Sequence, residues 1–260
     1  MIAPDFGFGV LEAEFWRLLF AMTRIGAAML AAPLFGHVAV PPQARVIVTG
    51  ALAVMVCAWL PVMAPPPLFS LAGLVTVLGE ILIGLALGFV LQIAFAAPIM
   101  AAELIGGGMG MSMAVAVDPA SGAQSPALGQ YFTIVLVLVF LGLGAHLQWI
   151  ALVIESYRAF PPGEAWLGAE RIATVAGFAG EMFTAAVAMA LPVTLILLLV
   201  QLVTGVVSRS APALNLFALG LPAGILAGIA ALIAAVPLLV DQMADLSEIA
   251  LGQAAQVIAR

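Results

Sequence analysis

His37, His146 and Cys57 are the only imidazole and thiol groups in this 260-residue chain, and no lysine stands among its seven basic residues. The chemistry open to it is narrow. A Walker A phosphate loop and a lysine Schiff base both need the missing lysine. One cysteine makes neither an intramolecular disulfide nor a thiolate metal site. The two histidines lie far apart in the chain, so a zinc site would have to draw carboxylates from elsewhere. No catalytic, cofactor-binding or metal-binding residue is expected, and no cofactor.

Charges set in apolar surroundings are the next candidates. Arg17 and Arg24 flank the apolar stretch 18–23 and lie two helical turns apart, on one face. They either snorkel to an interface, or pair with acids of another helix or subunit, or face a watery cavity. Glu80 and Glu103 bound the apolar run 81–102. Glu80, Gly84 and Gly88 follow one another at i, i+4 and i+8, and Gly84-x-x-x-Gly88 permits close helix–helix approach in a membrane. That stripe serves either packing within the chain or a subunit contact in which Glu80 finds a partner. Asp118-Pro119, with Ser121-Gly122 and Ser125-Pro126, is turn chemistry; Asp118 caps the next helix in preference to binding a cation. His146, near the end of a long apolar helix, is expected to be a hydrogen-bonded structural histidine rather than a proton relay. Arg209, with Pro212 and Asn215 nearby, reads as a polar hairpin tip whose guanidinium can donate to helix-end carbonyls.

The segment Gly106-Gly107-Gly108-Met109-Gly110-Met111-Ser112-Met113 is the most unusual in the chain. Four glycines in five residues hold a regular helix poorly. Three alternating methionines supply flexible, polarizable side chains that fill irregular gaps. The segment is either a flexible turn or a deformable loop that seals a passage and can move aside. Broken backbone at membrane depth is tolerated only inside protein or along a cavity. A dinucleotide fingerprint does not fit, because the G-x-G-x-x-G frames starting at Gly106 and Gly108 both end on Met. A nucleophile elbow does not fit either, because Gly110-Met111-Ser112-Met113-Ala114 lacks the final glycine.

The elements that carry these residues follow from composition. Apolar residues make up 65% and charged residues 8%, whereas a soluble domain is about 45–50% apolar and about 25% charged. Mean hydropathy is +1.26. Too few charges exist to cover a soluble surface of this size, so the natural solvent is a bilayer. The net charge of −6 argues against nucleic acid as a partner. Six charge-free intervals, 25–44, 46–79, 81–102, 119–154, 182–208 and 210–240, reach the roughly 20 residues that a spanning helix needs. Prolines and glycines mark the breaks: Pro41-Pro42, Pro65-Pro66-Pro67, the glycines after 105, Pro161-Pro162-Gly163 and Pro212. The stretch 163–181 is expected to be a solvated connector or short interfacial helix, and 241–260 an exposed, partly amphipathic helix. Backbone polar groups in lipid must be satisfied within the segment, which selects an all-α, multi-helix membrane protein. A transmembrane barrel would alternate apolar and polar residues in short runs, and these runs are continuous. Residues 1–16 carry Asp5, Glu12 and Glu14 without a basic stretch, so the first apolar segment is expected to remain in the mature protein.

Taken together, the motifs resemble the FliR/SctT family, the export-gate membrane subunits of type III secretion systems. The resemblance runs through five blocks in order. The first is Arg24, Pro33, Phe35, Gly36, Val40-Pro41 and Arg45. Glu80, Gly84 and Gly88 form the second, and Glu103, Gly106, Gly110, Asp118-Pro119, Gly122 and Pro126 the third. Phe140, Gly144, His146, Ser156 and Pro161 follow. The last runs from Ala190 and Pro192 through Gly205, Arg209, Pro212, Asn215 and Phe217 to Gly220 and Pro222. Ala213 departs from the pattern, where a glutamine is expected after the proline.

The resemblance implies a non-enzymatic core subunit of the flagellar export apparatus, multi-pass in the bacterial inner membrane and part of the basal body. It implies assembly with FliP-type and FliQ-type subunits into a helical hetero-oligomer, contact with an FlhB-type subunit, and passage of unfolded flagellar proteins as cargo. It divides the chain into a FliP-like part at 1–162, a connector at 163–181, a FliQ-like helical hairpin at 182–240 and a polar tail at 241–260. It assigns 106–117 to a channel plug, with Gly106, Gly107, Gly108, Met109, Gly110, Met111 and Met113 as its residues. It leaves Arg24, Arg45, Glu80, Gly84, Gly88, Glu103, Asp118, His146, Arg209 and Asn215 as interface or polar structural residues. Two other functions remain open. One is a virulence-type secretion homologue with different cargo, and the other a small-solute transporter, which repeat symmetry between the halves would favour. An intramembrane enzyme is the least favoured, given how few His, Cys and paired acids the spans contain.

Overall fold

The computed structural model describes residues 10–60, 70–111, 126–161, 169–210 and 216–259. Among these, the chain is helical: α1 (Val10–Ala31), α2 (Pro42–Trp59), α3 (Leu71–Gly108), α4 (Pro126–Gly142), α5 (Ala145–Ala159), α6 (Ala169–Ser210) and α7 (Leu216–Ile258). Four of them, α2, α3, α6 and α7, are long and apolar enough to cross a membrane, and the α4–α5 pair makes a fifth if it counts as one broken span. The sequence suggested about six apolar segments. The first of these, 25–44, is no helix of its own. Residues 25–31 are the last turns of α1, a helix that also carries Glu12, Glu14, Arg17 and Arg24; residues 32–41 are the link, and 42–44 already belong to α2.

Two compact units emerge, each assembled from separate stretches of chain. In the first, formed by residues 1–93, 144–178 and 249–260, α1 and α2 make an antiparallel hairpin. Pro42 opens α2 at its first turn, where a missing N–H costs nothing. Arg17 near the start of α1 donates to the carbonyls of Cys57 and Leu60 at the end of α2, at 2.9 and 3.3 Å. Those carbonyls belong to the last turn, where no helical donor remains. The first half of α3 runs alongside α1, and α5 runs antiparallel to it, with Tyr157 Oη donating to Ala21 O at 2.5 Å. Trp149 of α5 is fully buried, stacks on Phe35 and donates from Nε1 to Leu87 O at 3.2 Å. Arg171 at the start of α6 lies over the Phe160 ring and donates to Ala259 O beyond α7.

The second unit comprises 94–143 and 179–248. Its core includes Phe132, Leu136 and Phe140 on α4 and Met182, Ala186, Met189, Val193 and Leu197 on α6. Each set recurs at three- and four-residue spacing, the mark of one buried helical stripe. Phe140 meets Phe95 of α3 edge to face. The opposite side of α6, including Leu195, Leu199, Leu202 and Val206, is exposed. Hydroxyls within α6 return to its own carbonyls, as with Thr184 to Gly180 and Ser208 to Gly205, so few polar groups are left for an apolar solvent to accommodate.

Two elements extend further than the sequence suggested. The stretch 163–181 was expected to be a solvated connector or a short interfacial helix; from Ala169 onward it is helical, as the first turns of the much longer α6. The tail was expected to be a separate helix, yet α7 continues past Val240 to Ile258. Gly180 and Pro237 lie beside the two junctions without breaking the helices, and charged residues there end an apolar run without ending a helix. At 42 and 43 residues, α6 and α7 are each about twice the length that a bilayer core requires. Pro98, Pro192, Pro222 and Pro237 lie inside helices, a placement common where neighbouring helices support the backbone.

Candidate functional site

The first site is a charged knot inside the first unit. Arg24 of α1 is fully buried, and Glu80 of α3 is nearly so. Arg24 Nε donates to Glu80 Oε2 at 2.7 Å and Nη2 to Oε1 at 2.8 Å, a two-pronged pairing. Nη1 donates to Ser156 O at 2.7 Å, and Nη2 also to Phe160 O at 2.9 Å. The guanidinium carbon sits 4.2 Å from the centre of the Tyr157 ring. Every nitrogen of the cation is thus engaged, which makes burial of the pair tolerable in surroundings that would otherwise penalise both charges.

Gly84 and Gly88 bring the helices together. A Cβ at Gly84 would collide with Arg24 O, and one at Gly88 would come within 2.6 Å of Ala28 O and 2.5 Å of Ala31 Cβ. The stripe Glu80, Gly84, Gly88 is therefore spent on α1 of the same chain. Glu80 finds its cation there.

The second site is the end of α3, in the second unit. Gly106, Gly107 and Gly108 are helical, contrary to the expectation that the glycine run would not hold a helix. They prolong an apolar helix that is already formed, so each adds a hydrogen bond at modest entropic cost. The turn comes one step later. Met109 N donates to Ile105 O, Gly110 N donates to Gly107 O, and Gly110 adopts φ +81, a conformation suited to glycine. Met109 is buried against α7, lying across Gly224 and Gly228. A Cβ at Gly228 would sit 2.5 Å from Met109 Cγ, and one at Gly224 3.2 Å from Met109 O. From α6, Gln201 Nε2 donates to Gly108 O at 2.8 Å. No group of three or more potential metal ligands occurs among the described residues.

The model for bacterial export proteins, family 1, matches residues 15–249. The chain belongs to this family. Its relatives include the flagellar biosynthetic protein FliR of Escherichia coli, 33% identical over 229 residues, covering 88% of this chain and 86% of that protein. FliR of Bacillus subtilis is 34% identical, covering 80% of this chain and 81% of its own. FliR of Aquifex aeolicus is 29% identical, covering 88% of each.

The remaining candidates are scattered over this family member. Arg45 donates to His37 O at 2.6 Å and Val40 O at 3.0 Å, pinning the link between α1 and α2. Glu103 is exposed on α3, and Arg209 is exposed in the last turn of α6. His146 does not close a long apolar helix. The helix breaks before it, at Gly144 with φ +67, so His146 lies in the first turn of α5, half-buried. Its Nδ1 finds no hydrogen-bond partner among the described residues. Met113, Asp118 and Asn215 lie outside the described residues. Sequence reasoning passed over Tyr157, Gln201, Gly224 and Gly228. The last two repeat the four-residue glycine spacing of Gly84 and Gly88, and that signal could have found them. Gln201 is the one amide side chain in the apolar run 182–208, which could have marked it too.

Proposed function

We propose that this chain is a core membrane subunit of the flagellar type III protein export gate, in the inner membrane at the flagellar basal body. The observation that carries this is the match to the export family across residues 15–249, joined to four helices with the length and composition of membrane spans. Its relatives are flagellar biosynthetic proteins, which favours flagellar cargo over a virulence system. Its role is structural: it builds the wall of a channel together with FliP-type and FliQ-type subunits, beside an FlhB-type subunit, and unfolded flagellar proteins pass through. Residues 1–162 take the FliP-like part and 182–240 the FliQ-like hairpin. The large exposed apolar faces of α6 and α7 support this, since they need either lipid or sister subunits against them.

Within that gate, the end of α3 and the residues after it act as the plug. The glycines let the backbone turn and approach other helices, and the methionines repack around cargo of any sequence. Purification in mild detergent, followed by mass measurement of the intact particle, tests the assembly. A particle containing the partner subunits supports the reading. A lone chain that still restores flagellar export to a strain lacking its own FliR overturns it.

A further inference from the structure

We propose that Gln201, Gly224 and Gly228 form a catch that holds the end of α3 closed, and that it lets go when cargo passes; this rests on the plug reading above. Three contacts converge on one turn. The carbonyl of Gly108 belongs to the last residue of α3, and carbonyls in the last turn of a helix look outside the regular helical pattern for donors. In apolar surroundings such a group is costly to leave unpaired. Gln201 supplies the donor from α6, at 2.8 Å. Met109 then fills the notch made by two glycines of α7, so closely that a methyl on Gly228 would fall 2.8 Å from its Sδ and Cε. Gly108 rests on Leu197 and Gly110 faces Leu221, one from each of the same two helices.

The parts suit a reversible contact. A single hydrogen bond to an amide side chain is weak enough to break under load. A methionine side chain is unbranched and leaves a notch without needing one fixed shape. The notch has no side chain of its own, and among the described residues Met109 fills it. Gln201 thus acts as a positioning residue: it holds the plug's stem and touches no cargo.

The catch can be locked. Met109 Cγ would lie 2.5 Å from a Cβ at Gly228, which puts a Met109→Cys, Gly228→Cys pair within disulfide reach. In a Cys57→Ser background of the whole assembled gate, oxidant is expected to form this bridge and stop secretion of flagellar subunits. Reductant restores secretion. Failure of the bridge to form, or secretion that continues while the bridge is intact, overturns the catch. Two further variants separate it from the plug reading. Gln201→Leu is expected to raise the closed-state ion leak about three- to ten-fold, the loss of one such bond. Gly228→Ala meets the Met109 side chain from Cγ to Cε and no backbone atom among its nearest neighbours, so it is expected to push that side chain out of the notch and raise the leak while the gate assembles normally. If excision of 107–110 leaks ions and neither of these does, the plug reading stands and the catch falls. If excision does not leak either, both fall.

Discussion

Removing one member of the Arg24–Glu80 pair has an asymmetric cost that the geometry defines. Arg24→Leu leaves the Glu80 carboxylate buried, with both oxygens stripped of the donors now at 2.7 and 2.8 Å. A buried charge deprived of its partner costs about 3–5 kcal/mol. Glu80→Leu leaves a cation that keeps the carbonyls of Ser156 and Phe160 and the face of Tyr157, so its loss falls at the lower end of that range or below it. Arg24→Leu combined with Glu80→Leu buries no charge at all. Its main penalty is the loss of the Arg24 donors to the carbonyls of Ser156 and Phe160, about 1–3 kcal/mol. The expected order of damage is Arg24→Leu, then Glu80→Leu, with the double variant milder than Arg24→Leu alone. Unfolding in mixed micelles, titrated with a denaturing detergent, gives the three values and their coupling. A double variant as damaged as the sum of the two singles would refute the reasoning, as would Glu80→Leu proving worse than Arg24→Leu.

Two more substitutions test neighbouring contacts. Gly84→Ala is expected to reduce accumulation of the folded chain several-fold, because its methyl meets the rigid backbone carbonyl of Arg24, whereas Gly79→Ala, with nothing within 4 Å, is neutral or gains roughly 0.5–1 kcal/mol; equal levels of the two variants in membranes contradict this. Arg209→Leu, at an exposed position in the last turn of α6, is expected to lower co-purification of partner subunits without lowering the level of the chain itself, and full recovery of partners removes Arg209 from the interface.

The helical, membrane-embedded character of the chain was legible because uninterrupted apolar runs admit few other structures. Pro41-Pro42 marked the start of α2 correctly, since proline acts locally. Charges misled where their partners were distant. Arg24 looked like a boundary between segments, yet it sits in the middle of α1 because Glu80, Ser156 and Phe160 satisfy it from 56 to 136 residues away. No window of sequence contains such a partner. Asp241 and Glu181 end apolar runs but not elements, since α7 and α6 run through them. In the second unit, the glycine–methionine run drew notice by its composition, and its last glycines proved helical. The surface that receives Met109 was hidden because Gly224 and Gly228 become a notch only once α3 lies against them.

The proposed plug at the end of α3 would close a protein-conducting channel. Ion conductance of membranes carrying the assembled gate, with residues 107–110 excised, addresses it most directly. The account predicts a raised leak while partner subunits still co-purify in normal amounts. An intact, assembled gate whose conductance is unchanged by the excision would contradict it.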